Sequence, residues 1–467
     1  MKRFWCFILL MVLAAACSKR ELLPQKDSRG QADIQGGSGS GQEPGEQGSG
    51  GAATIDRLIP VLPSSGTVPE IHIKTTEASW NALLNYYNKD NKTQEYIPAD
   101  IYYSDGITKE TVLGAGLRLK GNTSRRHPGE AGNLHHVHFG LHFNEFTKGS
   151  KMLGVSRLDL KWFHDDPAYC REIYCYDLFQ RYGIWTAISA GYTRLWIQIG
   201  DRQETYMGVY ELMEHVRGDY IKRRSEPFGG TEGHLWKARW GADMKKTDAW
   251  MGADDNKNEY TYELKSDQTD FAAAKSQLQD FIRNLNNLSG EAFYTWAANA
   301  MDVEFLLKTY AVNVVVGMWD DYWNNSNNYY FYFNPEGKFF FIPYDYDNTL
   351  GTSKDCGVIS DSGTKDPLKW GHQSYPLLMK ILGKQEWKDY YICCLKELCA
   401  GDFNANVSAQ RIKGWQEVIA PYVSNDTGED MVIQDRPASW SNRGNYRLLE
   451  LGSNNFFATK ASKVNAL

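Results

Sequence analysis

Residues 319–351 read W-D-D-Y-W-N-N-S-N-N-Y-Y-F-Y-F-N-P-E-G-K-F-F-F-I-P-Y-D-Y-D-N-T-L-G, and this stretch restricts the fold more than any other. The runs 329–333 and 338–342 are aromatic and aliphatic, with Asn-Pro-Glu-Gly between them, so the sequence predicts a hairpin. A hairpin brings the chain back to where it started. Asp320 and Asp321, followed by Asn324, Asn325, Asn327 and Asn328, should therefore meet Asp345 and Asp347. The resulting cluster is rich in oxygen ligands and poor in nitrogen and sulfur, which suits Mg²⁺ or another hard cation such as Mn²⁺. Asp and Asn also fill turns for purely structural reasons. Carboxylates and amides before a hairpin with a D-x-D after it nevertheless repeat the arrangement of phosphoryl-transfer sites, where one Asp serves as base and Asn plus Asp hold metal.

The chain opens Met-Lys-Arg, continues through the apolar run 4–16 and reaches Cys17. Positive charge, a short apolar segment and small residues before the cysteine make a secretory signal. The run is shorter than the ~20 apolar residues a membrane-spanning helix needs. Ala14-Ala15-Ala16-Cys17 has the form of a bacterial lipoprotein cleavage site, so residues 1–17 are expected to be a signal whose Cys17 carries lipid; an ordinary cleaved signal is the alternative. Residues 18–56 turn to Gly, Ser, Gln and Glu, a composition that cannot bury enough apolar surface to order itself, and read as a flexible tether. The expected setting is the bacterial cell envelope, with membrane contact through the lipid alone. A net charge of −6 without a basic stripe sets nucleic acid aside as a partner.

Strands are expected at 71–74 and 96–103 with a helix at 77–88 between them. The strand 116–120 runs into Gly121-Asn122-Thr123-Ser124-Arg125-Arg126, and Lys120 with Asn122, Thr123 and Ser124 offers cation and backbone donors to phosphate, or else forms a solvated basic turn. His136, His138 and His142 share a strand face, which raises a transition-metal site as an option. Strand 158–163 carries Lys161, and a helix opening at Asp165-Asp166-Pro167 and running to Arg181 carries Glu172; a strand lysine and a helix glutamate form the pair by which kinases hold nucleotide phosphates. A hairpin at 194–199 and 204–212 and a helix at 217–224 follow. Strand 235–240 bears Lys237 and Arg239, with 260–264 as its neighbour. Helices are expected at 270–287, 302–318, 376–382, 386–398 and 409–423, the apolar second one delivering Asp320 and Asp321. The whole is an α+β chain: 57–214 rich in β structure, 215–467 mostly helical and containing the hairpin stretch 319–351. Cys170, Cys175, Cys356, Cys393, Cys394 and Cys399 can pair or stay as buried thiols, and the helical spacing of Cys170 and Cys175 does not favour their pairing.

The order G-L-R-L-K-G-N-T-S, L-D-L-K-W-F with D-P-A-Y-C-R-E, T-Y-M-G-V-Y-E-L-M-E, L-W-K-A, W-D-D-Y-W-N-N-S-N-N-Y-Y-F-Y, P-Y-D-Y-D-N-T-L-G and Y-P-L-L-M-K-I-L resembles the spore coat protein H (CotH) kinase family across residues 70–425. The resemblance implies an atypical protein-kinase-like bilobal fold, with ATP and Mg²⁺ or Mn²⁺ between the lobes and phosphate transfer to Ser or Thr of an extracytoplasmic protein. By motif it makes Asp321 or Asp320 the base, lets Asn325 and Asn328 assist the metal and puts Asp345 at the metal, with Asp347 as its rival. Lys161, Lys237 and the turn 121–124 become candidates for phosphate contact, and Glu172 for the partner of a lysine. Family members often have lysines after the Gly-Asn-Ser/Thr turn, whereas this chain has the histidine-rich run 135–142. Three other readings remain: a pseudokinase, a tryptophan-rich lipoprotein that binds glycan or peptide, and an Asp345-x-Asp347-x-Thr349 phosphatase with an aspartate nucleophile. The last needs alternating βα units.

Overall fold

Alternation of buried and exposed residues builds the first half of the chain. In β1 (Glu70–Thr75) Ile71, Ile73 and Thr75 are buried while Lys74 faces solvent, and in β2 (Ile97–Ser104) Ile97, Ala99, Ile101 and Tyr103 lie inside, as a period of two demands. Between them runs α1 (Glu77–Lys89), capped by the Thr76 hydroxyl, which accepts from the Ser79 amide at 3.0 Å. Its Trp80, Leu83 and Leu84 join the same apolar cluster as the strands. Then come β3 (Lys109–Lys120), the short ribbon β4 (Gly129–Glu130) and β5 (Asn133–Leu134), β6 (His138–His142), β7 (Arg157–Lys161), α2 (Arg171–Arg181), β8 (Ala190–Ile199) and β9 (Thr205–Glu214). Seven strands close into a barrel in the order β1-β2-β3-β6-β7-β9-β8, sealed where β8 pairs parallel with β1. Closure leaves no open edge.

The structure is a computed structural model that describes residues 55–253, 260–266, 270–352, 361–436 and 446–467. Cys17, tether residues 18–54 and Cys356 lie outside them. Beyond the barrel the order is α3 (Gly218–Arg223), α4 (Ser225–Phe228), β10 (His234–Ala238), β11 (Met251–Gly252), β12 (Tyr262–Leu264), α5 (Phe271–Asn287), α6 (Gly290–Ala300), α7 (Val303–Val315), α8 (Tyr322–Asn325), β13 (Tyr329–Phe333), β14 (Phe339–Pro343), α9 (Pro376–Ile381), α10 (Gln385–Ala400), α11 (Ala405–Ile419) and α12 (Phe456–Asn465). The expected hairpin is present: β13 pairs with β14 antiparallel from Tyr329 opposite Pro343 to Phe333 opposite Phe339. It adds to β10, which also pairs with β12, so a five-stranded sheet stands among the helices. Strands β10, β12, β13 and β14 fall where the sequence places them, β11 is added, and α4, α6, α8 and α12 are additional helices. The apolar α7 is buried and capped by Asp302, whose carboxylate accepts from the Phe305 amide at 2.9 Å.

One local expectation changes, while for the histidines and cysteines the sequence leaves both readings open. Helix α2 starts at Arg171 rather than near Pro167, because the Asp166 carboxylate takes the amides of Cys170 and Arg171 at 2.7 and 2.6 Å while Asp165 and Tyr169 adopt left-handed φ of 62° and 56°. Glu172 consequently stands in the first turn. Among the described residues the three histidines have separate partners: His136 bonds Asp430 and the Met207 carbonyl, His138 accepts from the Trp162 amide, and His142 pairs with Glu145. Cys170, Cys175, Cys394 and Cys399 are buried free thiols, and Cys393 is held in a disulfide. No helix among the described residues is long and apolar enough to cross a membrane.

Candidate active site

A cavity of about 1440 Å³ is lined by β3 and β7 of the barrel, by β10 of the sheet, and by the loops at the base of the β13–β14 hairpin. Lys161, the last residue of β7, reaches into it. Its ammonium bonds the Glu172 carboxylate of α2 and Asp345 Oδ1 at 2.7 Å, and lies 3.6 Å from Asp347 Oδ2. Burial alone would push the Lys161 pKa down, but Asp345, Glu172, Asp347 and Glu211 hold it well above the ordinary lysine value. The same surplus of carboxylates acts in reverse on the acids. Burial and then the Glu172 charge raise Glu211, and burial outweighs Lys161 to raise Asp347. Asp345 stays low, since Lys161, Lys237 and Lys120 overcome its burial.

Helix α2 organises this corner. The Tyr176 hydroxyl receives the Asp345 amide at 2.9 Å and donates to Glu172 Oε1 at 3.2 Å, and the Tyr346 amide donates to the same Oε1 at 3.2 Å. Arg171, fully buried, donates from Nε to the Thr349 carbonyl at 3.2 Å. Asp345 leaves β14 with a left-handed φ of 68°, so the turn after the hairpin is fixed from the helix side.

Across the cavity stands the Asp-Asn loop. Asp320 lines the cavity and accepts from the side-chain amides of Asn325, of Asn327 at 3.4 Å and of Asn328 at 2.9 Å. Asp321 turns away from the cavity. It is 1% exposed and caps α8, its carboxylate accepting from the amides of Trp323 and Asn324 at 3.1 and 3.2 Å and from the Asn313 side chain. Burial pushes its pKa up to about 7 against these donors.

The remaining sequence candidates divide into two groups. Lys120, Asn122, Thr123 and Ser124 line the cavity from the barrel side, and Lys120 is tied to the buried Asp159, which also holds His215 Nδ1 at 2.9 Å. Burial, more than Asp159 can offset, brings the His215 pKa to about 4. The turn needs its glycine: Gly121 has φ 102° and a Cβ there would meet Ser124 Oγ at 2.7 Å. Lys237 lines the cavity from the sheet, between the rings of Tyr330 and Tyr344 at 5.4 and 5.1 Å. Sequence reasoning missed Glu211, Asp159 and Asn348. Glu211 lies opposite Lys161 on the next strand, a register visible only once the barrel is known.

Glu172, Asp345 and Asp347 offer three carboxylate oxygens within 4.8 Å of one another. Among the described residues, Asn348 Oδ1 and Glu211 Oε2 are buried beside them without a hydrogen-bond partner, an expensive condition for a polar atom unless something is bound. The donor set is all oxygen and fits a hard divalent cation. A barrel-borne lysine clamped by a helix glutamate and a post-hairpin aspartate, facing an Asp-Asn loop, defines a site of the protein-kinase-like phosphoryl-transfer class. The profile of the family described as CotH kinase protein matches residues 117–446, and the chain belongs to that family. Membership points to an atypical kinase with a kinase-like fold. No curated protein matches the chain. The phosphatase reading fails on the fold: β14 pairs antiparallel with β13 instead of standing in a βα series, and the Thr349 hydroxyl is buried on the Tyr346 carbonyl at 2.8 Å.

Proposed function

We propose that this protein transfers the γ-phosphate of ATP to a Ser or Thr hydroxyl of an extracytoplasmic protein, held at the bacterial cell envelope by lipid on Cys17. The observation that carries the reading is the Lys161 ammonium bridging Glu172 and Asp345 in a cavity that also contains Asp320. A Mg²⁺ or Mn²⁺ ion held by Asp345 and Asp347, with Glu172 and Asn348 beside it, would supply charge neutralisation of the β- and γ-phosphates. Lys161 and Lys120 extend positive charge to the phosphate oxygens, and the turn 121–124 covers them with backbone N–H groups. Asp320 takes the base role rather than Asp321, because its carboxylate faces the cavity and the asparagine amides aim it. It accepts the acceptor hydroxyl's proton as the oxygen bonds to the γ-phosphorus and the bond to the β-phosphate oxygen breaks. Asn325 and Asn328 serve first to orient Asp320, with a metal contact left to their carbonyl ends.

The test is transfer of ³²P from ATP with Mg²⁺ or Mn²⁺ to generic acceptors and to the protein itself, beside Asp320→Asn and Asp345→Ala. Label in the wild type that falls about 10²–10⁴-fold in Asp320→Asn supports the assignment. No label, together with no nucleotide-dependent rise in melting temperature, would overturn it, and nucleotide binding without transfer would leave a pseudokinase.

A further inference from the structure

Helix α7 is apolar along most of its length, yet one amide stands in its last turn. Asn313 lies between Val312 and Val314 and is fully buried. An amide is expensive in such a place unless both of its ends are bonded, and here they are. Its Nδ2 donates to Asp321 Oδ2, and its Oδ1 accepts from the Tyr346 hydroxyl at 2.5 Å.

The two partners belong to opposite halves of the site. Asp321 precedes the β13–β14 hairpin and gathers the loop around Asp320. Its carboxylate takes the Trp323 and Asn324 amides, and its carbonyl takes the amides of Asn325 and Asn327 at 3.0 and 3.2 Å. Asn325 and Asn327 in turn bond the Asp320 carboxylate through their side chains. Tyr346 follows the hairpin and stands between Asp345 and Asp347, with its amide on Glu172 Oε1 at 3.2 Å. Its ring packs edge-on against Tyr176 and Phe179, centroids 5.7 and 5.1 Å away, so a fixed side chain carries the hydroxyl. The end of α7 repeats the pattern with its backbone. The Asn313 carbonyl accepts the Met318 amide at 3.1 Å and the Val316 carbonyl accepts the Leu350 amide at 2.8 Å, again one partner from each half. A misplacement of ~1 Å between reacting groups can cost about 10²-fold in rate, so the side chain that registers these two segments matters to the chemistry.

We infer that Asn313 is a positioning residue: it registers the Asp320 loop against the turn that carries Asp345 and Asp347, and so sets the separation between the base and the cation-holding carboxylates. The positioning role rests on the kinase reading; the link between the two segments does not. The experiment uses the full-length protein and Tyr346→Phe, which removes one hydroxyl and keeps the ring, with Asn313→Leu as a harsher second variant expected to reproduce its effects. Asp321→Asn still offers Asn313 an acceptor oxygen and does not break the link. Amide hydrogen exchange is measured first, without ligand. The amides of Trp323, Asn324, Asn325 and Asn327 should exchange roughly 10-fold faster in Tyr346→Phe, the equivalent of one lost hydrogen bond, while those of β2 and β3 keep their rates. Unchanged exchange in that loop overturns the inference. So does acceleration spread equally over the barrel, which marks a general loss of stability. Transfer of ³²P from ATP is measured second. Tyr346→Phe should lower kcat roughly 10-fold with KM for ATP within about twofold. In an Asp320→Asn background the same substitution should cost less than about twofold, because no base is left to misplace. A loss that carries over undiminished into Asp320→Asn overturns the positioning role. A wild type that transfers no phosphate but whose Tyr346→Phe variant shows the exchange effect sinks the kinase reading and upholds the link.

Discussion

At the scale of single residues the site is governed by which carboxylates are compensated and which are not. One ammonium, Lys161, faces Glu172, Asp345, Asp347 and Glu211, and the two carboxyls it compensates least, Asp347 and Glu211, are pushed up, a shift that a bound cation would reverse. Asp321 is a different case, a buried carboxyl that caps α8. Its pKa rises from 3.8 to about 7, with burial the leading cause. A raised carboxyl binds its proton in the folded chain at pH values where the unfolded chain has lost it. The resulting stabilisation is full below about pH 4 and disappears as pH climbs to about 7. Asp321→Asn keeps a capping side chain and a neutral amide, so it should not show this loss. The stability of wild type relative to Asp321→Asn should therefore fall between pH 4 and pH 7, by up to about 4 kcal/mol. Melting curves of both proteins across that range check it; parallel curves would show that Asp321 is ionised throughout. Because Asp321 faces away from the cavity, the variant should retain most of any transferase activity that Asp320→Asn removes.

At the scale of elements, α2 decides where the lysine partner and the turn that carries Asp345 sit. Its start depends on Asp166, which is 1% exposed, accepts from three backbone amides and pairs with the buried Arg171. Asp166→Ala leaves the Arg171 charge buried without that partner, at a cost of about 3–5 kcal/mol. It also loosens the Arg171 bond to the Thr349 carbonyl. The expected result is a lower melting temperature and weaker nucleotide binding together, whereas a lower melting temperature with unchanged nucleotide affinity would separate the helix start from the site. The sequence reads such elements unevenly. The hairpin was legible from two aromatic runs around Asn-Pro-Glu-Gly, and the buried α7 from its valines and leucines. The start of α2 was not, because Asp165, Asp166 and Pro167 signal a helix beginning while the Asp166 side chain actually caps the amides four and five residues on. Nor was the joining of β13 to β10, since local pattern does not state which strand an edge will accept.

At the scale of the molecule the barrel and the helical part are joined by long-range contacts that local sequence leaves unmarked. The parallel closure of β8 on β1 pairs residues more than a hundred positions apart. So does the return of the segment 422–431 to the barrel. There the Asp426 amide bonds the Tyr206 carbonyl at 2.9 Å, and the Glu429 carboxylate takes the His136 amide at 3.0 Å, His135 Nδ1 at 3.0 Å and the Arg126 guanidinium. Glu429 is the centre of that strap. Burial would raise its pKa, but the His136 amide and Arg126 hold it below the ordinary glutamate value of 4.5. A lowered carboxyl contributes stability that is present above the unfolded pKa and is lost as pH falls through the folded one. Glu429→Gln keeps the shape and loses the charge. Wild type should then be more stable than Glu429→Gln at pH 7, and the difference should shrink as pH drops below about 4.5. Arg126 and Glu429 are partly exposed, so the gap at neutral pH should be modest, about 1 kcal/mol, and smaller still in high salt. Chemical denaturation of both proteins at pH 7 and at pH 3.5 measures it. A gap that persisted unchanged at pH 3.5 would mean that the strap is held by shape and backbone bonds, with the Glu429 charge contributing nothing.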